Sequence, residues 1–342
     1  MYTQQTFKEN SNYGYASGRI HVLEMKLINR AALTRLLEAD SPQEVLRILS
    51  ESGYGAAFSD AAVNFEDALQ AEMSRVYSLV DELTLDPLLT QIFRIRWDFH
   101  NIKILLKASY LKESSYDGSL VSFGVTPVEG LKLAIEPESE KKGEPIPDYL
   151  VNAINGSREQ YETNQNPQII DIVIDNHLHS FMYKRVKSYP NSFLRGYFEA
   201  IADLNNIRSF VRVRMLGENI RLLDSVLLPY GMLDKNVFLQ RFDDNIESWT
   251  ASLTNTPYGE LVTEGFRRWS EDHSLAAFEK LSDNYLIDYI KPAKYIIFGV
   301  EPLIGYFLAK EHEIKLIRII MIGKLNDLPT EIINERLRDT YV

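Results

Sequence analysis

The feature of this sequence that most restricts its fold is an amphipathic helical stretch that occurs three times. The copies are "WDFHNIKILLKA" at 97–108, "ADLNNIRSFVRV" at 202–213 and "KEHEIKLIRIIM" at 310–321. When Asn101, Asn206 and Glu313 are aligned, the next two residues are Ile and then Lys or Arg in every copy. The steps of 105 and 107 residues are about a third of the 342-residue chain. The spacing therefore predicts three related units.

Helical periodicity dominates the rest of the chain. Strong helix signals cover 41–53, where Ser41 and Glu44 form a capping box, and also 64–83 and 86–112. We therefore predict an all-α protein whose helices are joined by short turns.

The repeat and the turn-rich segments predict three units with two boundaries. We expect units at 1–115, 116–222 and 223–342, with 116–148 as a loop-rich linker rich in Gly, Pro and charge. That linker could hold one short strand or hairpin.

An acidic residue lies within the apolar side of the repeated helix. On a helical wheel Asp98 falls among Ile102, Leu106 and Phe99, and Asp203 has the same surroundings in the second copy. A buried carboxylate is costly unless it is paired or hydrogen-bonded. Two interpretations stay open: a local structural acid, with Asp98 bonded to Arg94, or a polar group on an inner surface shared by the three helices.

Composition and charge exclude several classes of function. The formal net charge of −11 argues against general nucleic-acid binding, which needs clustered Lys and Arg. The absence of cysteine removes disulfides and thiolate sites and agrees with a cytoplasmic location. The N-terminal residues lack the apolar core of a signal peptide. The apolar stretch at 295–309 is interrupted by Glu301 and Pro302 and falls short of the ~20 residues a bilayer crossing needs.

No motif indicates catalysis. The sequence lacks a GxxxxGK[ST] or GxGxxG phosphate loop, a GxSxG elbow and an HExxH motif. The best metal candidate is "DIVIDNHLHSF", 171–181, where Asp171, Asp175 and His179 share one helical face, but such a stripe is more often a solvated face. We therefore expect no metal, no cofactor and no enzymatic activity.

Four stretches give the chain a family resemblance. These are "GYASGRIHVLEMKLI" near the N-terminus, "DFHNIKILLKA", "DLNNIRSFVRVRMLG" and the terminal "GVEPLIGYFLAKEHEIKLIRIIMIGKLNDLPTEIINERLRDTY". Together they resemble the C subunits of the V/A-type rotary ATPases, which are homologous to the d subunit of eukaryotic vacuolar ATPases. The resemblance extends from about Tyr13 to Tyr341 and is most specific in the C-terminal stretch.

The resemblance implies a fold and a role. The expected fold is three similar helical units around a pseudo-threefold axis, forming a funnel with a central cavity. The expected role is that of a non-catalytic, monomeric central-stalk component, peripheral on the cytoplasmic face of the membrane. It would join the proteolipid rotor ring to the central shaft and transmit the torque that couples ATP hydrolysis or synthesis to H+ or Na+ transport, without binding nucleotide or nucleic acid itself.

The resemblance also supplies candidate residues that line the cavity or contact partners. They are Arg19, Glu24, Asp98, Asn101, Lys103, Asp203, Asn206, Arg208, Glu301, Lys310, Glu313 and Arg318. The competing interpretation for each is bracing of helices within one unit. Lys310 and Glu313 replace the Asp and Asn of the other copies, which makes strict threefold equivalence doubtful and suggests an ion pair between units.

Two other classes of protein remain as alternatives. One is a helical repeat scaffold unrelated to rotary motors, which would form an open superhelix. The other is a metal-dependent enzyme built on "DIVIDNHLH".

Overall fold

The computed structural model of the protein describes residues 7, 9–51, 54, 64–111, 119–136, 145–272 and 274–342. Every regular element in these residues is helical, and they contain no strand. The all-α prediction is confirmed. Among the same residues, no helix is long and apolar enough to cross a membrane.

The α-helices follow one another closely along the chain. The first eight are α1 (Gly14–Glu24), α2 (Arg30–Glu38), α3 (Pro42–Glu51), α4 (Phe65–Leu83), α5 (Pro87–Leu111), α6 (Val128–Ile135), α7 (Asp148–Asn164) and α8 (Gln168–Ser188). The next eight are α9 (Ser192–Met215), α10 (Ile220–Val226), α11 (Asn236–Leu239), α12 (Ile246–Ser252), α13 (Gly259–Asp272), α14 (Ala276–Ile290), α15 (Glu301–Leu325) and α16 (Thr330–Arg336). A 3₁₀ turn at Lys291–Tyr295 precedes α15.

The helices predicted at 41–53, 64–83 and 86–112 correspond to α3, α4 and α5. Ser41 Oγ accepts the Glu44 N–H at 3.2 Å, while the Glu44 carboxylate accepts the Asp40 N–H at 3.0 Å. Ser41 thus satisfies one orphan donor in the first turn of α3, as the capping-box signal predicted. The Glu44 side chain binds the N–H of Asp40, one residue before the Ser41 N–H that a capping box would use. Asn64 caps α4 in the same way by accepting the Glu66 N–H.

The region predicted as a loop-rich linker contains a helix. Val128–Ile135 is α6, which buries Leu131 and Ile135 against α5. The strand or hairpin considered for this region is absent from its described residues, 119–136 and 145–148. The apolar residues here follow helical spacing, with Leu131 and Ile135 four residues apart.

The chain divides into two compact units. The first comprises Met1–Leu85, Ser192–Tyr197 and Asp243–Val342, and the second comprises Asp86–Asn191 and Phe198–Phe242. The predicted boundaries at 115 and 222 and the threefold funnel stay predictions.

The two units are each built around a long helix. In the first unit α15 packs against α1, α3, α4 and α16, and its Ile304, Phe307 and Ile317 are fully buried. In the second unit α5 packs against α6, α7 and α8, and its Ile102 and Leu106 are fully buried. These are copies of the repeated helix, so the repeat lies at the core.

Candidate functional site

The acidic residue of the repeated helix holds a loop in both copies that contain it. Asp98 is fully buried and accepts the N–H groups of Val125 at 3.2 Å and Thr126 at 3.0 Å. Arg94, the partner suggested by the sequence, donates instead to the carbonyl of Phe123 at 3.2 Å. The buried carboxylate is satisfied by backbone N–H groups, which is the condition for burying it.

Asp203 makes the same arrangement in α9. It too is fully buried, and it accepts the N–H groups of Met232 at 2.9 Å and Leu233 at 3.0 Å. The two carboxylates therefore perform one structural task at equivalent positions of two repeats.

A glycine precedes each clamped pair of residues and permits the close approach. A Cβ atom on Gly124 would lie 2.0 Å from Asp98 Oδ1, and one on Gly231 would lie 2.0 Å from Asp203 Oδ1. No side chain fits there, so only glycine lets the loop reach the carboxylate.

The asparagine three residues after each aspartate fixes a second point of the same loop. Asn101 accepts the Val121 N–H at 3.0 Å and donates to the Val121 carbonyl at 2.8 Å. Asn206 accepts the Leu228 N–H at 2.7 Å and donates to the Leu228 carbonyl at 2.9 Å. An amide side chain carries both a donor and an acceptor, so one Asn satisfies both backbone groups.

In α15 a different residue at the asparagine position also binds a backbone N–H group. Glu313 replaces the asparagine and accepts the backbone N–H of Ile28. It also accepts the Tyr54 O–H at 2.5 Å. The side chain at this aligned position, Asn101, Asn206 or Glu313, therefore accepts a backbone N–H hydrogen bond in all three copies.

Lys310 replaces the aspartate and forms buried ion pairs. Its Nζ atom lies 2.7 Å from Glu313 Oε1 and 3.0 Å from Glu72 Oε1, and all three side chains are at most 5% exposed. Glu72 is also held by the guanidinium of Arg75 at 2.8 Å. Lys310 therefore pairs with glutamates of α4 and α15, whereas Asp98 and Asp203, the acids at its aligned position, bind backbone N–H groups. An ion pair between the three predicted units stays a prediction.

Burial and charge shift the pKa values of these groups in different directions. Burial raises the pKa of Asp98 to about 6, although the hydrogen bonds from Thr126 and Val125 partly oppose it. Burial alone would lower the pKa of Lys310, but the carboxylates of Glu313 and Glu72 outweigh burial and raise it above the ordinary value. Lys310 therefore stays charged at neutral pH, within 3.0 Å of the side chains of both Glu72 and Glu313.

Three further candidate residues, Arg19, Glu24 and Arg318, make contacts within the first unit. Arg19 pairs with Glu82 at 2.5 Å, and Arg318 makes a bidentate contact with Glu66 at 2.8 and 2.9 Å. Buried Glu24 accepts the Tyr341 O–H at 2.9 Å and contacts His21. Buried Glu301 is the first residue of α15. Whether any of the twelve candidates lines a central cavity or contacts a partner subunit stays a prediction.

Sequence reasoning missed four members of these clusters: Tyr54, Glu72, Gly124 and Gly231. A signal for Glu72 exists, because it lies among Leu69, Met73 and Val76 on the apolar side of α4, as Asp98 does on α5. The glycines follow their aspartates by 26 and 28 residues, but this near-equal spacing is visible only once the contact is known.

An open cleft of about 380 Å³ lies between α8 and α9 in the second unit. Asp171, Asp175 and His179, the metal candidates, line one wall, and Arg208 and Arg212 line the other. Burial lowers the pKa of His179 to about 4, so this ring is neutral at pH 7.

The two aspartates of the cleft are paired with lysines of α5. Asp175 lies 2.6 Å from Lys103 Nζ, and Asp171 lies 2.5 Å from Lys107 Nζ. In the part of the chain that the structure describes, no three His, Asp or Glu side chains are grouped to hold a metal ion.

The comparisons with known proteins agree with one another. The family described as ATP synthase (C/AC39) subunit matches residues 16–336. The chain is similar to the C subunit of the V-type sodium ATPase of Enterococcus hirae, with 28% identity over 93% of this chain and 95% of the relative. It is also similar to the C subunit of the A-type ATP synthase of Methanocaldococcus jannaschii, with 25% identity over 95% of this chain and 86% of the relative.

Proposed function

Because this chain belongs to the family of ATP synthase C/AC39 subunits, we propose that it is a non-catalytic central-stalk component of a V/A-type rotary ATPase. It joins the central shaft to the membrane ring of proteolipid subunits, on the cytoplasmic face. There it transmits the torque that couples ATP hydrolysis or synthesis to H+ or Na+ transport.

The observation that carries the proposal is the family match over nearly the whole chain. Relatives of similar length are named as subunits of sodium ATPases and ATP synthases. A scaffold unrelated to rotary motors, the alternative left open by the repeat, is contradicted by this match. An adaptor role also fits a sequence without a nucleotide-binding loop.

The repeated clamps support the mechanical part of the proposal. Torque is lost if loops shift against helices under load, and a loop fixed at two points resists such a shift. In the second unit four side chains fix two loops in this way, namely Asp98, Asn101, Asp203 and Asn206. Close-packed interiors add to this stiffness because they have low compressibility.

Reconstitution tests the proposal directly. Three components are purified from one organism: the catalytic head with its shaft, the proteolipid ring with its stator, and this chain. The head and the ring are combined in vesicles, either with this chain or without it. We expect ATP hydrolysis by the soluble head in both cases. ATP-driven H+ or Na+ uptake should occur only when the chain is present. Uptake at the full rate without the chain, or failure of the chain to bind shaft or ring, would contradict the proposal.

A further inference from the structure

The first unit carries a group of large apolar side chains that are exposed to solvent. They lie on α1 and on the 3₁₀ turn and loop that precede α15, and each is 40–85% exposed. Contiguous exposed apolar groups mark surfaces that bind a protein or a membrane. We call this surface the α1 patch, and its members are Tyr15, Val22, Met25, Tyr295, Ile297 and Phe298.

The helix members and the loop members of the α1 patch adjoin one another. At 100° per residue, the three members on α1 fall within about 80° of one another on the helix surface. Gly14 and His21 lie at the edge of this stripe, and both contact the loop. His21 Nε2 is 3.2 Å from the Ile296 carbonyl oxygen, and a Cβ atom on Gly14 would lie 3.6 Å from the Phe298 ring. The loop residues therefore extend the stripe into one surface.

The opposite side of α1 is apolar as well. Ala16 and Ile20 are buried there, and the helix packs against α15. A helix that is apolar on all sides is typical of a protein core or of membrane contact. Because only one side of α1 is buried in this chain, the exposed side requires an apolar environment supplied from outside.

The charge around the α1 patch suits an anionic surface. In residues 11–30 and 291–300 the only carboxylate is Glu24, which is buried, although the whole chain has a net charge of −11. No exposed carboxylate of these two segments therefore repels an anionic partner. The same segments contain five cations, which are Arg19, Lys26, Arg30, Lys291 and Lys294.

Lys26 is the cation that is available to an outside ligand. It follows Met25 directly, is exposed, and its side chain makes no hydrogen bond or ion pair with the described residues. The other four cations have partners within the chain, namely Glu82 for Arg19, Asp339 for Arg30, Asp288 for Lys291 and the Tyr341 carbonyl for Lys294.

We propose that the α1 patch inserts into the headgroup region of an anionic phospholipid bilayer, where Lys26 binds a lipid phosphate. Exposed apolar and aromatic side chains beside a lysine are the chemistry of proteins that lie on a membrane without crossing it. The inference goes beyond the proposed function, because this contact requires no other subunit.

The shape of the patch favours lipid over a protein partner. Met25 at the end of α1 is 85% exposed, and Tyr295 at the end of the 3₁₀ turn is 80% exposed, so both protrude from the surface. The core of a protein interface is packed as densely as a protein interior, so protruding side chains there need matching pockets. A fluid lipid layer accommodates them without pockets.

Vesicle binding tests the apolar part of the proposal. The purified whole chain is floated with vesicles of phosphatidylcholine alone or of phosphatidylcholine with phosphatidylglycerol, and we expect binding to the second kind. Met25→Asp should weaken that binding by at least about ten-fold, because a carboxylate is costly at apolar depth. The matched control is Leu111→Asp, at a 48% exposed residue of the second unit, which should bind like the wild type.

The electrostatic part has its own pair of variants. Lys26→Gln should weaken binding by about five-fold, since one cation near an anionic surface contributes that much. Lys187→Gln removes the same charge from an exposed position of α8 and should have no effect. Unchanged melting temperatures show that the variants are folded. No binding of the wild type to anionic vesicles, or equal weakening by a variant and its control, overturns the proposal.

A fluorescent probe reports whether the patch enters the lipid. The chain contains no cysteine, so Met25→Cys and Leu111→Cys each give one position for an environment-sensitive dye. We expect a blue shift and quenching by quencher-labelled lipids for the dye at position 25 only. A dye at position 25 that stays in water on vesicles, but is buried when detergent-purified proteolipid ring is added, would identify a protein contact and overturn the lipid proposal.

These outcomes separate the α1 patch from the proposed function. If the chain couples ion transport in the reconstituted complex but does not bind anionic vesicles, only the lipid inference fails. If it binds the vesicles through the patch but joins neither shaft nor ring, the proposed function fails and the lipid inference stands.

Discussion

Asn206 holds Leu228 through both of its backbone polar groups, accepting the N–H at 2.7 Å and donating to the carbonyl at 2.9 Å. Asn206→Leu removes both bonds and leaves two backbone groups of the loop without this partner. We expect the free energy of unfolding to fall by about 2–3 kcal/mol. Urea denaturation gives this value, and amide hydrogen exchange should show lost protection at Leu228.

The control for this variant is Asn164→Ala. Asn164 is exposed and bonds only within its own turn of α7 through the contacts to Gln160, so we expect a change within about 0.5 kcal/mol. Equal losses of unfolding free energy for the two substitutions would show that the loop contact of Asn206 contributes no more stability than the exposed contact of Asn164.

The glycine before the clamped loop should not tolerate a methyl group. Gly231→Ala places Cβ 2.0 Å from the Asp203 carboxylate, so the loop must move away and the hydrogen bonds to Met232 and Leu233 lengthen. We expect a loss of about 2 kcal/mol or more, read from the melting temperature.

Gly18→Ala should have the opposite sign. Gly18 lies inside α1, and a Cβ added there meets nothing within 4 Å. Replacing a helical glycine by alanine stabilises by about 0.5–1 kcal/mol. If Gly231→Ala stabilised the protein as well, the close approach to Asp203 would not limit the loop.

The sequence could predict the buried positions but not the partners that make burial acceptable. The helical period placed Asp98 and Asp203 on the apolar side of their helices, and both are fully buried. Their partners are backbone N–H groups 27 to 30 residues later, and backbone groups carry no residue-specific signal. The repeat thus identified the helices that carry the clamps, and only the structure identified the loops.

The partners of Lys310 could not be predicted from the sequence for a related reason. Lys310 was recognised as a departure from the repeat, but its partner Glu72 lies 238 residues earlier, on a helix outside the repeated stretches. One sequence does not reveal which buried acid meets which buried base. Local helix signals are short-ranged and were predictable, whereas this pairing depends on tertiary packing.

The raised pKa of Asp98 predicts a pH dependence of stability. Its folded-state pKa of about 6 lies above the ordinary 3.8, so the folded protein binds this proton more tightly than the unfolded chain. The stabilisation is complete below about pH 3.8 and is lost as the pH rises through about 6, with an upper limit of about 3 kcal/mol.

Asp98→Asn isolates this contribution, because it removes the titrating group while keeping the size of the side chain. The difference in unfolding free energy, wild type minus Asp98→Asn, should decrease between pH 4 and about 6.5 and then level off. Taking the difference cancels the other titrating groups. A difference that increases with pH would mean that the folded state favours the charged carboxylate.

The buried lysine of α15 gives the largest expected effect. Lys310→Met removes the cation that Glu72 and Glu313 share, and it leaves buried carboxylates with less compensation. Breaking a buried pair by removing one partner costs about 3–5 kcal/mol. Lys315→Met on the same helix breaks the more exposed pair with Asp283 and should cost only about 0–1 kcal/mol.

A double substitution separates the ionic network from the repeat pattern. K310D/E313N introduces into α15 the Asp and Asn that the other two copies have at the aligned positions. We expect it to be at least as unstable as Lys310→Met, because the introduced carboxylate would face that of Glu72 where the wild type has an attraction. The measurement is the urea midpoint, followed by tryptophan fluorescence, since Trp249 is fully buried in the same unit. Wild-type stability of the double variant would mean that α15 accepts the pattern of α5 and α9, and that the Lys310 network is dispensable.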